Sequence, residues 1–91
     1  MGFWAEAVIR VENPKRVNIK DIVLDVLKEY RNDEVIVDST YSKEEGACVR
    51  IRTDCYLGDE FNTMLVSIGK RLRREGVGFF YIEVLRNWYY V

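Results

Sequence analysis

Residues 34–56 read EVIVDSTYSKEEGACVRIRTDCY, and this stretch decides the fold. It holds two alternating runs around a short polar loop. In 34–42, Val35 and Val37 point one way and Ile36, Asp38 and Thr40 the other. In 47–56, Ala47, Val49, Ile51, Thr53 and Cys55 share one face. Cys48, Arg50, Arg52, Asp54 and Tyr56 share the opposite one. A period of two with β-branched residues is the pattern of a half-buried strand. The loop Ser42-Lys43-Glu44-Glu45-Gly46 is short and polar, so the two strands form a hairpin.

On the N-terminal side the period changes to helical. Asn18 reads as an N-cap with Asp21 three residues on. Ile19, Ile22, Val23, Val26, Leu27 and Tyr30 then form an apolar stripe, while Asp21, Asp25 and Glu29 line the opposite face. This helix is expected to run to about Arg31. Before it, residues 3–12 alternate again. Phe3, Ala5, Ala7, Ile9 and Val11 face inward; Trp4, Glu6, Val8, Arg10 and Glu12 face outward. Asn13-Pro14 ends that strand, since proline cannot donate to a ladder.

On the C-terminal side Gly58-Asp59 opens a second helix, with Asp59 as its expected cap. Phe61, Met64, Leu65, Ile68 and Leu72 form its stripe, and Gly76 ends it. Gly69 in mid-helix costs about 1 kcal/mol relative to Ala, which a close helix–helix contact would explain. A last strand is expected from near Val77. Phe80, Ile82 and Val84 would face the core, and Phe79, Tyr81, Glu83 and Leu85 would face out. The tail from Trp88 to Val91 is apolar, and it either extends the strand or docks on something.

The order strand, helix, strand, strand, helix, strand in 91 residues predicts one α+β domain over 1–91. Two β-α-β halves with right-handed crossovers interleave into a four-stranded antiparallel sheet of order 4-1-3-2, with both helices on one face. This is the ferredoxin-like arrangement, a scaffold that hosts many unrelated functions. Composition fits a folded domain: 48% hydrophobic and 32% charged residues. With 14 basic against 15 acidic residues, the chain lacks the basic excess of a dedicated duplex-DNA binder. No leader and no apolar run of about 20 residues is seen, so a cytoplasmic protein is expected. The charged-rich, glutamine-free composition is a mild pointer to a thermophilic source; a small protein that blocks or bridges another macromolecule, as many viral accessory proteins do, is also compatible.

The chemistry this topology often carries is missing from the sequence. Cys48 and Cys55 are an odd number apart on one strand, hence on opposite faces and about 23 Å apart. They can neither bridge nor share a metal. The loop after the first strand, Glu12 to Val17, has no glycine to shape an anion nest. Histidine is absent, and Asp21, Asp25 and Glu29 are spaced like a solvated helix face. No catalytic residue, metal site or cofactor is therefore expected, and the chain reads as a non-enzymatic module.

What remains is the sheet face opposite the helices. Trp4, Arg10, Arg50, Arg52, Phe79 and Tyr81 all project onto it, with Trp88 in the adjoining tail. Trp, Tyr and Arg are enriched at binding hot spots, and clustered exposed aromatics mark interfaces. The expected function is binding of a protein partner, or of a second copy as a homodimer, through this face. The alternative is single-stranded RNA or DNA laid across it, rings stacking bases and arginines holding phosphates. RNA-recognition-motif domains work that way, but their third strand carries exposed aromatics. Here the matching stretch, Gly46-Ala47-Cys48-Val49-Arg50-Ile51, has none. The plainest account of the face is a solvated one, with Arg10, Arg50 and Arg52 paired to Glu6, Glu83 and Asp54.

Overall fold

A computed structural model of the chain describes residues 5–12, 18–29, 35–42, 46–53 and 59–87. Six elements follow one another: β1 (Ala5–Val11), α1 (Ile19–Leu27), β2 (Val35–Ser42), β3 (Gly46–Thr53), α2 (Asp59–Arg74) and β4 (Phe80–Asn87). The four strands form one sheet in the order β2-β3-β1-β4, which is 4-1-3-2 read from the opposite edge. Every neighbouring pair is antiparallel.

Period two places Ala5, Ala7, Ile9 and Val11 of β1 on one face with Val49 and Ile51 of β3, and all are buried. The stripes of both helices pack on that same face, and Phe61, Met64, Ile68 and Leu72 of α2 and Val23 and Leu27 of α1 are sealed from solvent. Burying such side chains is worth roughly 1.5–3 kcal/mol each before conformational entropy is charged against it. No helix among the described residues is long and apolar enough to cross a membrane.

Both helix ends show why the chain turns where it does. The Asn18 side chain accepts a hydrogen bond from the Asp21 amide at 3.2 Å, satisfying one of the orphan donors of the first turn. Gly76, at φ 86°, closes α2. The Val77 amide donates to the Leu72 carbonyl at 3.0 Å and the Gly76 amide to that of Arg73 at 3.1 Å. This is the Schellman pattern, and Val77 and Leu72 make its buried apolar contact.

The structure corrects several boundaries. The helix expected to reach Arg31 ends at Leu27 with Lys28 as its cap; Tyr30 and Arg31 lie outside the described residues. α2 begins at Asp59 itself. β4 starts at Phe80 rather than near Val77, because the Schellman turn occupies Gly76 and Val77 before the chain can extend. Val84 points to the helix side as expected but is 46% exposed, since α2 does not reach over the sheet edge at that point. Gly69 faces a strand and not the other helix. A Cβ there would lie 3.7 Å from Phe80 and 3.8 Å from Ile82.

Candidate functional site

Register turns the face opposite the helices into a grid of three rows, each running β2, β3, β1, β4. The first row is Thr40, Cys48, Arg10 and Tyr81. The second is Asp38, Arg50, Val8 and Glu83. The third is Ile36, Arg52, Glu6 and Arg86. Arg10, Arg50, Arg52 and Tyr81 thus share one surface, as their alternation implies. Trp4 and Trp88, the other two aromatic anchors expected there, lie outside the described residues, as do Asp54 and Cys55.

Arg86 enters the grid through an irregularity that alternation could not show. The β1–β4 register shifts between Glu6 and Ala7: Ala7 pairs with Val84 and Glu6 with Arg86, leaving Leu85 as the extra residue. A bulge of this kind rotates everything beyond it by one position. Leu85, expected on the open face, therefore sits at the bulge, 46% exposed, and Arg86 takes the face position. No glycine marks this bulge in the sequence.

The arginines are mostly engaged. Arg50 Nε lies 3.7 Å from Glu6 Oε2. Arg52 pairs with Asp38, on a diagonal across the hairpin. Of the carboxylates expected from sequence, Glu6 does pair with one of these arginines and Asp54 lies outside the described residues; Asp38, across the hairpin, is a further partner that register brings within reach of Arg52. Each such surface pair is worth about 0–1 kcal/mol. Among the described residues Arg10 forms no ion pair. It sits across from Tyr81 at the end of the sheet, in a shallow hollow of about 190 Å³ shared with Glu12, Gly78 and Phe79. Tyr81 is 52% and Phe79 80% exposed.

Val8 departs from the expected patch. It points to the open face, yet it is 1% exposed and contributes no surface. Its neighbours in the grid are Arg50 and Glu83 across the strands and Glu6 and Arg10 along its own. Free Cys48 is only partly exposed in the first row.

The rest of the molecule offers little reactive chemistry. Among the described residues no three His, Cys, Asp or Glu side chains converge as metal ligands. The basic run at the end of α2 divides by role. Leu72 is core. Arg71 ties the helices together, its Nη1 2.9 Å from Asp25 and its Nε 3.1 Å from Glu75. The hydrogen bond it donates to Glu75, and then that to Asp25, holds its guanidinium above the usual arginine range against the opposing effect of desolvation. Lys70, Arg73 and Arg74 are exposed.

A second surface was not foreseen from sequence. Between α2 and the outer edge of β4 runs a groove lined by Leu65, Val66, Gly69, Phe80, Ile82 and Val84, with Lys70 and Arg73 at one end. Val66 is 57% exposed there. Its position beside the α2 stripe was the available signal. No protein-family model, curated protein or solved structure matches the chain, so both surfaces are read from their own geometry.

Proposed function

We propose that this chain is a ferredoxin-like domain that acts as a non-enzymatic interaction module and binds a protein partner through the open sheet face. The observation that carries this reading is the charge pattern of the grid. Four arginines (10, 50, 52 and 86) face three carboxylates (Asp38, Glu6 and Glu83), a surplus of one cation across the face. Arg50 and Arg52 already have carboxylate partners. A polyanion would have to displace those carboxylates. A protein surface of mixed charge can instead interdigitate with them, with Phe79 and Tyr81 as the apolar anchors at one corner.

The second reading, single-stranded nucleic acid, is favoured at that corner only. Arg10, without an ion pair among the described residues, lies beside two exposed rings, the combination that holds one phosphate and stacks one or two bases.

Thr40 is exposed on the open face and far from β4, so Thr40→benzoylphenylalanine is the probe. Irradiation in an extract of the source cell should give a discrete protein adduct that survives nuclease and is lost with Arg10→Glu. Adducts that disappear with nuclease, or a uridine-oligomer affinity that falls steeply with salt, would overturn the protein reading in favour of the second.

A further inference from the structure

The geometry points to a second copy of this chain as the occupant of the β4 edge and the groove beside it, the two copies joined about a two-fold axis so that their sheets continue into one another. Among the described residues β4 pairs with β1 alone, and it is eight residues long. A long apolar edge is a template for further pairing unless something covers it. The helix-side residues along it are Phe80, Ile82 and Val84, and Val66 stands uncovered on the α2 side of the same groove.

The occupant is identified by self-complementarity, which a two-fold interface requires. An antiparallel β4–β4 pairing centred on Ile82 sets Ile82 against its own copy and Phe80 against Val84 on the helix side. On the open side it sets Tyr81 against Glu83, ring and hydroxyl against carboxylate. The apolar residues on the helix side of the edge then meet apolar residues. A centre at Glu83 would oppose two carboxylates, and a centre at Tyr81 would leave Val84 facing Gly78.

The helices repeat the same logic. α2 is acidic in its first turn, at Asp59 and Glu60, and basic in its last, at Arg71, Arg73 and Arg74. Two antiparallel copies meeting at Val66 place Asn62 opposite Lys70 and Asp59 opposite Arg73, each twice by symmetry. Both helix macrodipoles are then opposed head to tail. Arg10, Arg50 and Arg52 of the partner surface lie outside this interface, while Phe79, Tyr81 and Glu83 border it; solution mass and the Ile82 crosslink read self-association without any partner present, so failure of one proposal is distinguishable from failure of the other.

The test is solution mass by sedimentation equilibrium, together with a crosslink that reads the register. Wild type should have the mass of two chains. Val66→Glu, on an exposed helix position, should be folded and of single-chain mass. Asp59→Arg and Arg73→Asp should each weaken association by about tenfold, since every reversal acts twice, and the double reversal should restore it. With both native cysteines replaced by serine, Ile82→Cys should crosslink to its own copy under mild oxidation, because directly paired strand residues lie within disulfide reach. Single-chain mass for wild type, which would leave the edge to another protein's strand, overturns the proposal. So does a dimer that persists in Val66→Glu, or an Ile82→Cys dimer that stays uncrosslinked.

Discussion

Replacing Gly69 by alanine separates two accounts of the same residue. A glycine in mid-helix suggests close approach of another backbone, and in that case any side chain would force the elements apart. The structure places instead the ring of Phe80 at 3.7 Å and Ile82 Cδ1 at 3.8 Å from the new methyl, both ordinary van der Waals contacts with side chains. Alanine should therefore fit. It recovers about 1 kcal/mol of helix propensity. The methyl adds roughly half of the ~0.8 kcal/mol of a fully buried one, because the groove is half open. The sum, about 1–1.5 kcal/mol of added stability, corresponds to a rise of about 5–10 °C in Tm for a domain of this size. Urea and thermal unfolding followed by circular dichroism would read it. The measurement is made at two protein concentrations, since self-association adds a concentration-dependent part. A lower or unchanged midpoint for Gly69→Ala would refute the helix–strand packing described here and restore the closer contact.

Two other positions should behave oppositely. Gly46 begins β3 at φ 77°, and a Cβ there would lie 2.2 Å from the Val11 carbonyl oxygen, so backbone must move. Gly46→Ala should cost about 3 kcal/mol, from left-handed strain plus the displaced β1–β3 register, and a urea midpoint within error of wild type would contradict that register. Asn18→Ala should cost about 1 kcal/mol by removing the α1 cap, while Asn18→Asp should retain the stability; equal losses for both would show that the side chain does not cap.

The architecture was legible because each element states its own period. The β1 set Ala5, Ala7, Ile9 and Val11 and the α2 set Phe61, Met64, Leu65, Ile68 and Leu72 were readable as core from spacing alone, and all nine are buried. Strand order followed from connectivity. What spacing cannot encode is lateral register, and the site depends on it. That Arg52 meets Asp38 is a property of the β2–β3 alignment. Whether position 85 or 86 faces out depends on one extra residue, and Leu85 gives no local sign of it. Val8 alternates outward like any exposed residue, but its burial comes from three dimensions.

The same limit explains why the open face was conspicuous in sequence and the groove beside β4 was not. Alternation assigns residues to faces and says nothing about edges. Of the arginines counted as a cationic surface, Arg50 and Arg52 are, once registered, committed to carboxylates on neighbouring strands. Val66 lies just off the apolar stripe of α2, and Val84 alternates inward as a core residue would. Together they flank a groove at a strand edge whose own sequence, FYIEVLRN, pairs with itself about Ile82 without opposing like charges. If copies join there, their open faces fall side by side on a continuous sheet, each with its Arg10–Tyr81 corner. A partner with two matching epitopes would then bind with the gain of an intramolecular second contact. Val66→Glu should remove that gain while leaving each single-site contact intact.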